Sequence, residues 1–256
     1  CDFGEFGLIG SLDLLFGRKS SGQGVAQLWL VFIALPLKSI NVQPLKAMVI
    51  ANSASPLTIL ENGDRLNRDE FERRYIASNI KKAELIEGIV HVASPLRFTS
   101  HGKPHSQIIG WLVTYQSMVA GLEVGIEPTV RLDDDNEPQP DAVLFRVDGN
   151  AKIDADGYIS GAPELIAEIA ASTVSYDLHS KKRTYELNGV KEYIVWRTLD
   201  RQIDWFILDN GKYRELEPDG SGIIRSQEFM GLWLNVNAIL TNDMSTVLKT
   251  LQTGLS

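Results

Sequence analysis

Three short stretches of the chain carry side chains able to do chemistry together. The first is Leu165-Ile166-Ala167-Glu168-Ile169-Ala170. Apolar residues at alternating positions on both sides mark a strand buried on both faces. Ile166 and Ala170 share the face of Glu168, and Leu165, Ala167 and Ile169 fill the other. An ionised carboxylate in such a strand costs several kcal/mol unless it is paired or bound to a metal. Glu168 therefore needs a functional cation, a salt-bridging Lys or Arg, or water at a frayed sheet end. The second stretch is Pro140-Asp141. Alone, Asp after Pro reads as a turn. At the end of a strand beside Glu168 it completes a hard, oxygen-rich pair suited to Mg2+, with Mn2+ as an alternative. A metal there would activate water and stabilise charge on a phosphate in transfer. The third is Lys181-Lys182-Arg183, which offers such a site a fixed cation. Leu178 and Tyr185 mark the buried face of their helix, and Lys181 and Lys182 flank that face almost symmetrically, so periodicity does not choose between them. A solvated basic patch is the plain alternative.

These stretches need a frame. Asn67 to Glu70 has the form of a capping box, opening a short helix that runs through Tyr75. Ala83 to Val92 reads as two strands around the turn pair Glu87-Gly88. Pro104 opens a helix to about Val119, with Ile108, Leu112 and Tyr115 on one face. Leu122 to Leu132 is expected to be a strand pair or one irregular strand. Asp141 to Val147 is expected as a strand with Asp141, Val143, Phe145 and Val147 on one face. Asp148 to Gly161 reads as a loop. Asp177 is expected to cap a helix that stops at Asn188-Gly189. Strands follow at Val190 to Trp196, Gln202 to Leu208 and Lys212 to Leu216, with a hairpin turn at Asp209-Asn210-Gly211. A last helix covers Asn237 to Leu251. The alternation predicts a mixed α/β or α+β domain with a central mixed sheet flanked by helices.

The stretches PQPDAVLF at 138–145, PELIAEIAAST at 163–173 and YDLHSKKRTYELNGVKEYIVW at 176–196 together resemble the Uma-two family of restriction-endonuclease-like proteins. AELIEGIVHVASP at 83–95, His105 and RSQEFMGLWL at 225–234 extend the resemblance in order over about residues 57–251. The resemblance implies a restriction-endonuclease-like PD-(D/E)XK nuclease core, a divalent metal and a DNA substrate. It makes Asp141 the aspartate and Glu168 the acidic residue of the second half-motif, the two metal ligands. The half-motif lysine would fall at position 170, where this chain has Ala170. The resemblance moves that role to Lys181 on the following helix, which serves only if the helix starts close to the strand end. It also adds Glu84 as a further metal or water contact, whereas strand alternation alone leaves Glu84 an edge charge. His105 is a site neighbour, a proton-transfer group or a helix-surface residue. His91, His101 and His179 lack zinc-ligand spacing. Tyr185 reads as core.

The reading is thus a metal-dependent endonuclease hydrolysing DNA phosphodiester bonds. Its alternative is a catalytically inactive module of the same fold that binds nucleic acid or a protein. The net charge of −8 and Ala170 favour the alternative. An acidic chain is not a general nucleic-acid coat, although an enzyme needs positive charge only in its cleft. The 44% hydrophobic and 23% charged composition is that of a soluble globular protein. The one cysteine, Cys1, excludes an internal disulfide and a cysteine zinc site and fits a reducing, cytoplasmic setting. Trp205, Phe206 and Tyr213 on a late hairpin are expected to offer an edge to a second subunit, and a homodimer would suit a duplex. No base-reading element is evident, so DNA and RNA both stay open. Residues 48–256 are expected to form the domain. Residues 1–47 are expected to be an extension foreign to it, translated in frame from upstream. Their apolar run Val25 to Leu37 is too short for a confident membrane span, and a targeting segment is the alternative.

Overall fold

The computed structural model describes residues 59–256; the expectations for residues 1–47 lie outside that range. Asn67 caps α1 (Arg68–Ala77) by accepting from the Glu70 backbone N–H at 3.0 Å, as the capping-box pattern predicts. β1 (Ala83–Ile86) and β2 (Ile89–Val92) form the expected hairpin, with Glu87 and Gly88 both at positive φ. A π-helical turn, Phe98–Gly102, leads into α2 (Lys103–Met118). Then follow β3 (Leu122–Ile126), β4 (Val130–Arg131) and β5 (Ala142–Arg146).

β3 and β4 are not a pair. β3 runs antiparallel to β5, while β4 joins β6 (Lys152–Ile153) and β7 (Ile159–Ser160) in a small separate sheet. The expected loop from Asp148 to Gly161 therefore holds two short strands. Pro128 lies between β3 and β4 and brings no N–H, which suits a break in the chain's strand at that point.

β8 is Leu165–Ala170, buried at every position. It connects to the parallel β9 (Glu192–Arg197) through a helical crossover: α3 (Val174–Tyr176), a π-helical turn (Asp177–Lys181) and α4 (Lys182–Asn188). Gly189 ends the crossover in the left-handed conformation, φ 82°, which glycine adopts without steric cost. β10 (Gln202–Asp209) and β11 (Lys212–Glu215) turn through Asn210 and Gly211, both at positive φ. β12 (Ile223–Arg225) and β13 (Trp233–Asn235) form a second hairpin. The expected terminal helix is broken in two, α5 (Val236–Leu240) and α6 (Met244–Leu255). Asn242 turns left-handed between them and Asp243 caps α6.

The central sheet has six strands in the order β11-β10-β9-β8-β5-β3, with only β8 and β9 parallel. It is the mixed sheet flanked by helices that the alternation predicts. On one face α2 contributes Ile108, Trp111, Leu112 and Tyr115 against Leu144, Leu165, Ala167, Ile169 and Ile194, with α6 beyond. On the other face Tyr185 packs among Val143, Ile166, Ala170, Tyr193 and Phe206. Trp205 and Phe206 are buried in these cores, and β11 presents Lys212, Arg214 and Glu215 outward. The hairpin aromatics expected to meet a second subunit thus hold the domain together, and the sheet edge carries charges of the kind that discourage edge pairing.

Glu192 clamps the C-terminal hairpin. Its side chain accepts from Trp205 Nε1, Ser226 Oγ and the Gln227 and Glu228 N–H groups at 2.7–3.2 Å. The β1–β2 hairpin is fastened to the main domain by reciprocal Leu85 and Glu137 backbone bonds of 3.1 and 2.8 Å. Glu137 is itself buried, and Oε2 has no hydrogen-bond partner. Burial first, and the neighbouring Glu72 carboxylate second, raise its pKa from 4.5 to about 9. Between those values the native state holds a proton that the unfolded chain has released, so stability falls as pH rises from about 4.5 to about 9. Urea melts at pH 5 and pH 9 are expected to show that slope in the wild type and a flatter one in Glu137→Gln. An unchanged slope in the variant would place the effect elsewhere.

Candidate active site

The β5–β8 register dictates the meeting of the first two candidates. Ala142 pairs with Ala167 in an antiparallel ladder, so the next step outward sets Asp141 opposite Glu168. Their side chains leave on the face that also carries Val143 and Ile166. Asp141 Oδ2 accepts the Ile169 N–H at 2.7 Å, which fixes the carboxylate at the strand end. His105 Nε2 lies 2.7 Å from the Asp141 carbonyl, and because a carbonyl only accepts, that nitrogen carries the proton. His101 Nε2 lies 3.2 Å from Asp141 Oδ1, and Lys82 Nζ lies 3.9 Å from the same oxygen.

Glu168 is 4% exposed. Both its hydrogen bonds fall on Oε1, from Lys181 Nζ at 2.9 Å and Tyr185 Oη at 2.8 Å. Lys181 and Tyr185 are four residues apart and so share a helix face toward the strand. Lys181 Nζ also lies 3.0 Å from Glu84 Oε2. Lys182 turns away and sits over the Phe206 ring, 3.5 Å from its centroid. The near-symmetry of the two lysines, which left the choice open in a regular helix, is broken in the tertiary fold, where the π-helical turn ends at Lys181.

Asp177 is not a helix cap. It has helical backbone angles, opens the π turn and is buried at 3% exposure. Glu84 arrives from the β1–β2 hairpin, where it also accepts the Gln139 N–H at 3.2 Å. The structure therefore brings together all four expected residues, Glu84, Asp141, Glu168 and Lys181, along a cavity of about 490 Å³. It adds Asp177, Tyr176 and His101 to the lining. Two contributions went unseen in the sequence. Tyr185 is core, as expected, but its hydroxyl reaches the site. His101, set aside for want of zinc-ligand spacing, stands four residues before His105, a spacing that places both on one side of a helical turn, and His105 takes the place of a site neighbour that was one of its expected readings.

The electrostatics follow from crowding. Burial pushes the Glu168 carboxyl above its ordinary range; Lys181 pulls it back, and Asp141, Asp177 and Glu84 push it up again. Lys181 is held firmly protonated, because Glu168, Glu84 and Asp177 outweigh the burial that opposes its charge. Burial also raises Asp177, to about 6. Burial works to raise Asp141 too, but the His101 hydrogen bond, the Ile169 N–H and Lys82 outweigh it and leave it below the usual carboxylate range. Glu192 offers a contrast in the next strand: it is equally buried, yet neutral N–H and O–H donors fill its carboxylate. Glu168 instead lies among like charges.

The donor set suits a hard divalent cation. Glu168 Oε2 is left open by the hydrogen bonds on Oε1, and Asp141 Oδ1 faces only His101 Nε2 at 3.2 Å and Lys82 Nζ at 3.9 Å, so these are the two oxygens that would meet it.

Residues 68–237 match the model of the Uma2 family, described as putative restriction endonuclease. A solved structure described as a putative nuclease belonging to DUF820 from Anabaena variabilis ATCC 29413 has a similar fold. The TM-score is 0.51 at 15% identity, covering 66% of this chain and 96% of that one. No curated protein matches. Among the described residues, no helix is long and apolar enough to cross a membrane.

Proposed function

From the premise that the chain belongs to the Uma2 family of putative restriction endonucleases, we propose that it is a metal-dependent endonuclease acting on DNA, with Asp141 and Glu168 as its metal ligands. Family and fold neighbour both support nuclease function in general. One observation carries the finer reading. Glu84, Glu168 and Asp177 crowd about the buried Lys181, and Asp141 stands opposite Glu168 with Lys82 at 3.9 Å. Carboxylates outnumber lysines in this cluster, an excess of negative charge that a further cation would balance.

A divalent cation, Mg2+ or Mn2+, supplies Lewis-acid stabilisation of phosphoryl charge and acidifies water at the site. The chain's own residues do the rest. The Ile169 N–H and His105 hold Asp141 from its side chain and its carbonyl. Lys181 and Tyr185 hold Glu168 from one oxygen, which keeps the other oriented for binding. Lys181 also provides fixed positive charge toward a phosphate entering the cavity, the role that Ala170 cannot fill. Glu84 positions Lys181.

A second reading draws on the same ion pair. Lys181 already neutralises Glu168 in part, so a metal-free, non-catalytic module that binds nucleic acid or a protein is chemically self-consistent. Calorimetric titration of Mg2+ or Mn2+ into the full chain separates the two. Binding with a stoichiometry near one is expected in the wild type, and its loss in Glu168→Gln, which keeps acceptors for Lys181 and Tyr185. No binding in the wild type would sink the catalytic reading and leave the inactive module.

A further inference from the structure

We propose that His101 supplies a nitrogen ligand to the cation held by Asp141, so that the site takes a transition-metal ion such as Mn2+ ahead of Mg2+. The inference rests on the metal-dependent reading above and concerns which ion that site selects.

His101, His105 and Asp141 each bring a donor atom within 4.8 Å of the other two. Within that group, Asp141 Oδ1 decides where a cation sits. Oδ2 is committed to the Ile169 N–H, whereas Oδ1 faces His101 Nε2 at 3.2 Å, so an ion entering there would displace the proton that His101 shares with Oδ1 and take both atoms as ligands. An octahedral cation with donors at about 2.1 Å places adjacent donors about 3.0 Å apart. The observed spacing is close to that of two neighbouring ligands on one ion.

The two histidines divide the work. His105 Nε2 is already donating to the Asp141 carbonyl, so His105 is a positioning residue. His101 points its Nε2 at the carboxylate itself and lines the cavity with Glu168 and Lys181. Its backbone is held by the π turn, where the His101 N–H donates to the Arg97 carbonyl at 3.0 Å. Thr198 Oγ1 donates to the adjacent Ser100 carbonyl at 2.8 Å, tying that turn to the end of β9. Such turns recur where a helix must aim a functional side chain. Lys82, the other cation near Oδ1, is 3.9 Å away and engaged at 3.1 Å with Glu127, so it need not fill the place of an ion.

Chemistry then sets the preference. Mg2+ favours oxygen ligands and keeps several waters, and it gains little from an imidazole. First-row transition ions accept imidazole nitrogen more readily than the harder Mg2+ does, Mn2+ the least strongly of them. A site with one nitrogen beside two carboxylates favours Mn2+ over Mg2+.

The test is pulsed electron paramagnetic resonance on Mn2+ added to the full chain, with calorimetry of both ions. A 14N coupling on bound Mn2+ is expected, replaced by a 15N coupling when histidine is isotopically labelled. That readout needs no variant. His101→Ala and, should that misfold, His101→Asn are expected to lose the coupling. They are expected to weaken Mn2+ by about tenfold or more and Mg2+ by clearly less. Mn2+ bound with no histidine nitrogen coupling, or equal losses for the two ions, would overturn the inference and leave the acidic pair as the metal site. Absence of any binding that depends on Glu168 would overturn both this inference and the proposed function.

Discussion

Asp141→Asn and Glu168→Gln are each expected to lower DNA phosphodiester cleavage by about a thousandfold or more. Charge stabilisation by a bound metal contributes several kcal/mol at the transition state, and 1.36 kcal/mol is a factor of ten in rate. Losing one anionic ligand from a two-carboxylate site removes most of that. The amide variants are the informative ones. Glu168→Ala would also take from the buried Lys181 one of its two carboxylate partners, leaving only Glu84 at 3.0 Å, so lost activity would be confounded with lost stability. Glu168→Gln leaves an oxygen for Lys181 and Tyr185 to donate to. Nicking of supercoiled DNA in the presence of Mn2+, with near-ultraviolet circular dichroism on the same samples, checks the expectation. Native-like dichroism with wild-type cleavage would remove Asp141 and Glu168 from catalysis.

Lys181→Met is expected to be the most destabilising single change in the site. It removes the cation shared by Glu168 at 2.9 Å and Glu84 at 3.0 Å, and leaves Asp177 near them as well. Breaking a buried ion pair from one side costs about 3–5 kcal/mol. In a domain of this size each kcal/mol moves the melting temperature by roughly 2–4 °C, so a drop of about 6–20 °C is expected. Its pH dependence has a definite sign. Burial already raises Glu168 and Asp177 above their ordinary range, and removing Lys181 raises them further. Carboxylates with raised native pKa values cost stability above their unfolded pKa, so the deficit deepens as pH rises from about 5 to 8. Lys182→Met is the control. That lysine rests on the Phe206 ring, an interaction worth about 1 kcal/mol, and its loss is expected to move the melting temperature only slightly. Equal effects from the two lysines, by differential scanning calorimetry, would contradict the buried cluster.

Much of this was legible in the chain. Glu168 announced itself because alternation in Leu165 to Ala170 leaves no solvent for its carboxylate, and the strand is buried at every position. The Asn67 cap, the Glu87-Gly88 and Asn210-Gly211 turns and the Gly189 stop were readable because each is a local rule about φ angles or orphan N–H groups. The family resemblance added Glu84 and Lys181, which local pattern left undecided.

What local pattern lacks is register and direction between distant segments. The pairing of β3 with β5 and of β4 with β7 depends on partners beyond the segment itself, so Leu122 to Leu132 read as a strand pair or one irregular strand when it serves two sheets. Trp205 and Phe206 read as an exposed edge because nothing local tells which side of a hairpin meets the core. Asp177 read as a cap because a cap and a buried site carboxylate have the same local sequence; only the approach of Lys181 and Glu84 distinguishes them. The same holds for the lysines. A helix drawn from sequence offers Lys181 and Lys182 equally to the sheet, and the choice falls to the packing of the crossover, with Tyr185 one turn on beside the same oxygen of Glu168. The sequence by itself determined that a carboxylate in a buried strand needed compensation, from a cation or from water at the strand end. The tertiary structure alone decided that one lysine is shared among several carboxylates, because charge balance is a property of a volume in space and not of an interval along the chain.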